Sequence, residues 1–376
     1  MKIVIASDSF KGSLSSHEVA QAAMRGVKQV YPACEIVAVN VADGGEGTVE
    51  AVVEALGGEI VTITVSDPLG CPVSACYGLA GNTAIIEMAA ASGLTLLTAE
   101  ERNPWLTSTY GTGEMILDAI RRGCREFFVG IGGSATNDAG TGMLQALGFR
   151  FYDVDEHEIT NCCGGKLQDI ARIDDSEVTA AVRQSRFIVA CDVDTPFCGY
   201  EGAAYVFAPQ KGADAEMVAR LDTGMVSFAK VIVKTYGIDV TSMAGAGAAG
   251  GMGGGFYAFL NASLKRGVDM VLDAIDFESI IRGADLVITG EGKIDYQTVK
   301  GKTAAGVLAR AKAQDIPVVA IAGSVEKCES VEQMGFAGVY SILEEEVPLD
   351  VAMQPDFAAA NIEKTVKKII SLQRGS

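Results

Sequence analysis

Histidine is nearly absent: His17 and His157 are the only two in 376 residues. Imidazole chemistry is therefore not expected, and any general base should be a carboxylate. The nine cysteines form no metal-binding spacing; Cys162 and Cys163 are adjacent, and an odd number of thiols fits the reduced state of a cytoplasmic protein. Positive charge is also in deficit. Thirty Lys and Arg stand against 48 Asp and Glu, leaving a net charge of −18. That argues against nucleic acid or an anionic membrane as partner, while a small anionic substrate is still served wherever a few lysines converge. Residues 240–264 carry no formal charge, but seven glycines lie between Gly245 and Gly255. We read a loop running into a helix there, not a membrane span. The opening Met-Lys-Ile-Val-Ile-Ala-Ser-Asp reads as a first strand and not as a signal peptide.

What is present is a core. Hydrophobic residues make up 49% and charged residues 21% of the chain, the balance of a globular protein with two or three domains. A strand over 2–6 is followed by Ser15-Ser16-His17-Glu18, a capping box that opens a helix with Val19, Ala22, Ala23, Val27 and Val30 on one face. Strands over 36–41 and 60–65 flank a helix over 49–56 closed by Gly57-Gly58. This βαβαβ rhythm predicts a parallel, helix-covered sheet. The texture then changes to a hairpin, 73–77 and 83–88, joined by Gly-Asn. The α/β rhythm returns with strands over 284–289, 317–322 and 338–342 and helices over 303–313, 330–334 and 356–372. The expected fold class is α/β in two domains. One is a parallel-sheet, three-layer Rossmann/flavodoxin-like domain formed by both chain ends, 1–66 and 285–376. The other is an inserted mixed α/β domain, 67–284, with the unit 111–147 open to either.

Several strands end in turns rich in glycine and acids, and in open α/β sheets that edge binds ligands. After the first strand stands Ser7-Asp8-Ser9-Phe10-Lys11-Gly12-Ser13. Asp8 suits a cation or a substrate hydroxyl, and Lys11 a phosphate or carboxylate. After the second stands Ala42-Asp43-Gly44-Gly45-Glu46-Gly47-Thr48, two acids that would repel unless a cation or donor lies between them. The apolar run from Phe127 leads into Gly130-Ile131-Gly132-Gly133-Ser134-Ala135-Thr136-Asn137-Asp138-Ala139-Gly140, where glycines and a helix start gather amide N–H groups suited to an anion. Cys191-Asp192-Val193-Asp194 puts two carboxylates on one face of an extended segment, a pairing suited to Mg²⁺. Thr289-Gly290-Glu291-Gly292-Lys293-Ile294-Asp295 follows another apolar strand. Two further patterns are weak. Gly245 to Gly250 matches G-x-G-x-x-G without a strand before it, and Gly301-Lys302-Thr303 imitates the end of a P-loop whose first glycine position holds Tyr296. Taken together, the turns describe a cleft of amides, carboxylates and lysines, the equipment of phosphoryl transfer.

At the motifs beginning with Ser7, Ala42, Gly130, Cys191 and Thr289, in that order along nearly the full length, the sequence resembles the bacterial type 1 glycerate kinase family. The resemblance implies ATP-dependent phosphorylation of D-glycerate in the cytoplasm, usually to 2-phosphoglycerate, with Mg²⁺ as cofactor and the site between two α/β domains. Under it, the turn Gly132, Gly133, Ser134, with Asn137, Asp138, Gly290, Glu291 and Gly292, is expected to hold the nucleotide, and Lys11 with the amides of Gly132 to Ser134 to hold anionic groups. Asp192, Asp194 and Glu291 are expected to hold the metal. Asp43 or Asp295 is expected to orient the glycerate hydroxyl, with Lys11 and Asp192 assisting catalysis. Asp8, Lys11, Glu46 and Arg102 are expected around the substrate, Arg102 at its carboxylate. The residues alone do not select C2 over C3 and leave monomer and homodimer open. Two rival classes stand beside this reading: a dinucleotide-dependent oxidoreductase using Gly245 to Gly250, and a non-catalytic protein binding an anionic metabolite.

Overall fold

The computed structural model describes residues 1–42, 47–295, 298, 302–326, 329–343, 345 and 347–373. The chain folds into two compact units. The first comprises Met1–Asp43, Glu54–Leu56 and Val271–Ser376, and the second Gly44–Val53 and Gly57–Met270.

The first unit is one parallel sheet. Its strands are β1 (Lys2–Ser7), β2 (Glu35–Asn40), β11 (Leu286–Ile294), β12 (Val318–Val325) and β13 (Gly338–Ser341), in the order β13-β12-β11-β1-β2. Counted within the unit, that is 2-1-3-4-5, the flavodoxin-like doubly wound order. Alternation explains why both faces are covered. Ile3, Ile5, Leu286, Ile288, Val319 and Ile321 join the core shared with the helices Ser16–Val30 and Pro355–Gln373. Val4 and Val287 on the opposite face are equally buried, as a parallel sheet between helical layers requires. The helix Thr303–Lys312 packs on β11 and β12. The capping box forms as expected, with Ser15 Oγ accepting from Glu18 N and the Glu18 carboxylate accepting from Ser15 N.

The second unit holds a mixed six-stranded sheet. The strands β3 (Glu59–Ser66), β4 (Pro72–Ala80), β5 (Thr83–Glu87), β6 (Glu126–Gly130), β9 (Arg186–Ala190) and β10 (Ser263–Lys265) lie in the order β10-β9-β6-β5-β4-β3. The pairs β3–β4 and β4–β5 are antiparallel and the rest parallel. A separate hairpin joins β7 (Arg150–Tyr152) to β8 (Arg172–Asp174). The core is aromatic, with Phe127 stacked on Phe187 at 4.8 Å and Phe228 stacked on Phe259 at 6.0 Å.

One strand departs from the expected parallel series. Residues 60–65, taken with the first domain, belong to β3 and pair antiparallel with β4, Val61 opposite Tyr77. The reason is visible in the side chains: Val61 and Val65 are buried while Thr62 and Thr64 are exposed. That period of two belongs to a sheet with one wet face, not to a strand covered on both. Residues 111–147 lie in the second unit and 271–284 in the first. Residues 240–264 give a loop, the helix Ala248–Leu260 and β10. Among the described residues no helix is long and apolar enough to cross a membrane. The eight described cysteines are free thiols.

Candidate active site

In the first unit the chain leaves β1 toward β2 on one side and β11 toward β12 on the other. The carboxyl ends of β1 and β11 therefore mark the topological switch point, the crevice where such sheets bind ligands. Asp8 sits there, its N–H donating to the Gly290 carbonyl at 2.9 Å. Its Oδ1 accepts from Ser9 N at 2.7 Å and its Oδ2 from Thr303 Oγ1 at 2.8 Å. Glu291 is 6% exposed; Thr298 Oγ1 donates to its Oε1 at 2.8 Å, and Lys302 Nζ lies 4.0 Å from its Oε2. Burial pushes the Glu291 carboxyl up to about 7; Thr298 and Lys302 oppose this, and the charges of Asp8 and Asp295 add to it. Asp295 is also buried, with Lys293 Nζ 3.1 Å away. Asp8, Glu291, Lys293 and Lys302 border a cavity of about 550 Å³, with Lys11 on its wall as well.

The segment Gly290-Glu291-Gly292 is strand and not turn. β11 continues to Ile294, with Glu291 opposite Ala322 of β12. Glycine is needed at 290 because a Cβ would lie 2.7 Å from the Ile321 carbonyl oxygen. Asp43 and Glu46 lie outside the described residues, as do Gly44 and Gly45.

In the second unit β6 ends at Gly130 and the chain turns through 131–140. Gly132 and Gly133 are exposed, and Ser134 through Gly140 are buried. The Gly133 carbonyl accepts from Leu94 N and Ala135 N donates to Ser92. Among the described residues, the N–H groups of Gly132, Gly133 and Ser134 have no backbone acceptor. Lys211, 1% exposed, sits beneath the turn and donates to Ser134 Oγ at 2.8 Å and to the Thr136 carbonyl at 2.7 Å. Burial pushes its ammonium down to about 7, against the pull of Asp138. Gly212, next to Lys211, is held against Arg102: a Cβ at Gly212 would lie 2.2 Å from the Arg102 carbonyl oxygen. The Nε of Arg102 is buried and has no hydrogen-bond partner among the described residues. Thus Arg102, Lys211 and the exposed glycine turn form one neighbourhood, and an unpaired guanidinium N–H is a group that an anion satisfies.

Two expected nucleotide ligands have internal work instead. Asp138 is fully buried and accepts from Thr109 N, Thr109 Oγ1, Gly140 N and Gly142 N at 2.8–3.1 Å. Thr109 Oγ1 itself accepts from Met143 N, so its proton points at the carboxylate. Burial pushes the Asp138 carboxyl up and these donors act against it. The residue stitches the turn to the helices Tyr110–Arg121 and Thr141–Ala146. Asn137 is buried too, its Nδ2 on Met225 Sδ at 3.3 Å and its Oδ1 without a partner among the described residues. Asp192 and Asp194 are exposed beyond the end of β9 at Ala190, so strand alternation does not orient them. Asp192 Oδ1 accepts from Gly267 N at 2.9 Å, at the start of the helix Gly267–Ala274. Among the described residues no group of three or more His, Cys, Asp or Glu is arranged to hold a metal ion.

The glycines from 245 onward are packing residues. At Gly250, with φ +69°, a Cβ would lie 2.1 Å from the Thr136 carbonyl oxygen, and at Gly255 2.3 Å from that of Ala139. The helix Ala248–Leu260 therefore presses against the 136–140 turn, and Ala139 N donates to Gly250 O at 3.0 Å. That accounts for the G-x-G-x-x-G match without a dinucleotide. Sequence reasoning missed Lys211, whose only signal is Pro209-Gln210-Lys211-Gly212 among small apolar residues. It also set aside Lys302 and Thr303 with the failed P-loop pattern, yet both stand beside the carboxylates of the first unit.

Residues 3–374 match the model of the Glycerate kinase family. A protein of Bacillus subtilis (strain 168) named glycerate kinase is 50% identical over 372 residues, covering 98% of this chain and 97% of its own. One of Escherichia coli (strain K12) named glycerate 2-kinase is 46% identical over 374 residues, covering 97% and 98%. Among solved structures, a chain named glycerate kinase 2 from Salmonella typhimurium LT2 superposes with a TM-score of 0.90 at 44% identity, covering 100% of this chain and 98% of that one.

Proposed function

The chain belongs to the glycerate kinase family, and from that premise we propose that it transfers the γ-phosphoryl group of ATP to the C2 hydroxyl of D-glycerate, yielding 2-phosphoglycerate and ADP in the cytoplasm. The match across 3–374, together with 46% identity to a relative named glycerate 2-kinase, carries the reading. The geometry supports it: phosphoryl transfer needs positioned anion donors, carboxylate oxygens for a cation and an acid to take the hydroxyl proton.

Asp8 and Glu291 offer carboxylate oxygens at the switch point, a donor set suited to Mg²⁺, which binds through one or two carboxylates and substrate phosphates. Asp192 and Asp194 are further carboxylates proposed for it. Bound Mg²⁺ would supply neutralisation of the phosphate charge. Lys11 and the amides of Gly132 to Ser134 hold anionic oxygens. Arg102 takes the glycerate carboxylate through a guanidinium whose Nε has no other hydrogen-bond partner among the described residues. Asp295 or Asp43 accepts the hydroxyl proton as the new P–O bond forms. Asp295 is paired with Lys293 Nζ at 3.1 Å, which holds its carboxylate in place.

The test is phosphorus NMR of the purified protein with Mg·ATP and D-glycerate. A new phosphomonoester split into a doublet is the expected C2 ester. A triplet would be the C3 ester and would move the product to 3-phosphoglycerate. No new ester with ATP intact would reject D-glycerate and turn attention to another small hydroxy acid.

A further inference from the structure

We infer that the cavity at the carboxyl ends of β1 and β11 is the nucleotide site, with the purine base against Ile342, Leu343, Val347, Leu349 and Met353 and the polyphosphate against Asp8, Lys11, Glu291 and Lys302. The inference rests on the kinase reading above and adds which unit holds the nucleotide.

Size decides first. The cavity measures about 550 Å³. Sites of roughly 300–1,000 Å³ enclose drug-sized molecules, so a nucleotide of about 31 non-hydrogen atoms suits this one and glycerate, with about seven, would leave most of it empty. The chemistry of the walls decides second, because they differ. The lining includes Lys11, Lys293 and Lys302 with the carboxylates of Asp8 and Glu291. Lys293 stands beside Asp295 and Glu326, and Lys302 beside Glu291, so ammonium donors for phosphate oxygens and carboxylates for a cation meet in one place. The lining also includes Ile342, Leu343, Val347, Leu349 and Met353. Leu349 is 73% exposed, a large apolar side chain on a cavity rim where a flat base would cover it. Glycerate has no apolar body to use such a wall.

Position decides third. The β1–β11 switch point is where the doubly wound sheet opens, and every lining residue belongs to the first unit. Gly12, at φ +79°, lets the loop after Lys11 pass the wall: a Cβ there would lie 2.5 Å from Met353 Cε. The loop carrying Lys11 and the apolar wall thus touch directly, which joins the two sides into one site.

The experiment is photolabelling of the full-length wild-type protein with 8-azido-ATP and Mg²⁺, followed by peptide mapping. The expected label falls within 342–358 and is suppressed by ATP but not by D-glycerate. Label on a peptide of the second unit, or label that ATP does not suppress, overturns the inference. An independent variant is Ala352→Trp, which fills the apolar side of the cavity: the KM for ATP should rise about tenfold or more with the KM for D-glycerate within about twofold. An unchanged KM for ATP in the folded variant overturns it as well. The two readings fail separately. Label within 342–358 without glycerate phosphorylation rejects the acceptor and keeps the site, whereas phosphorylation with label elsewhere keeps the acceptor and rejects the site.

Discussion

Thr303 and Asp8 are 295 residues apart in sequence and 2.8 Å apart in space, the threonine hydroxyl donating to Asp8 Oδ2. The bond fastens the residue after β1 to the first residue of the helix Thr303–Lys312. Thr303→Val keeps the shape and removes this donor from a carboxylate that is 8% exposed. The expected loss is about 1–3 kcal/mol in urea unfolding, the cost of a buried acceptor deprived of its partner. No loss would mean that the other partners of Asp8 suffice.

Asp295 and Asp43 are the alternatives for the base. Alanine at the true base should lower kcat by about 10²–10⁴-fold with KM little changed. Steady-state kinetics of both variants decides between them, and less than tenfold in each removes the assignment.

Arg102→Ala should raise the KM for D-glycerate about tenfold or more while kcat stays within a small factor, the pattern of a lost ground-state anchor. An unchanged KM would return Arg102 to an ordinary loop charge.

Lys211 sets a pH dependence whose sign can be stated. Its ammonium is pushed from 10.5 down to about 7 in the folded chain. The folded state therefore favours the neutral amine, and the stability present above the unfolded value drains away as pH falls toward the folded one. Relative to Lys211→Met, the wild type should lose stability as pH falls from 10 to about 7 and then level off. Urea unfolding at pH 7, 8 and 9 reads the difference, and a gap independent of pH would contradict the burial account.

Two glycines should behave oppositely. Gly250→Ala meets the Thr136 carbonyl at 2.1 Å in a left-handed conformation and should destabilise by more than ~1 kcal/mol. Gly132 has open space around its Cβ position and no positive φ. Gly132→Ala should leave stability within ~0.5 kcal/mol. A fall in kcat/KM there would show that the backbone itself approaches the substrate.

Much of this was legible in the chain. Capping residues, strand periods and turn glycines are local signals, so the Ser15–Glu18 box and the Gly81-Asn82 hairpin appear where expected. The sheet to which β3 belongs was not legible from rhythm, although its alternating Val and Thr announced one wet face. Asp8 could be suspected from its place at a strand end, and Glu291 from the Gly-Glu-Gly that follows an apolar run, although that run continues as strand to Ile294. Lys211 and Thr303 could not, because their roles depend on neighbours 77 and 295 residues away. Asp138 shows the converse. An acid in a glycine turn looks like a ligand, but burial and four donors make it the brace of that turn.

The first sheet also has an order of arrival. During synthesis, Lys2–Ser7 leaves the ribosome long before Leu286–Ile294, the strand on which it pairs residue for residue. At about 5–20 residues per second the gap amounts to roughly 15–60 s. All of β3 through β10 emerges in that interval, so the second unit has every one of its strands while β1 still lacks the neighbour on its β11 side. A nascent chain stalled with residues up to about 275 outside the ribosome should therefore yield a protease-resistant core from the second unit and a digestible amino-terminal segment.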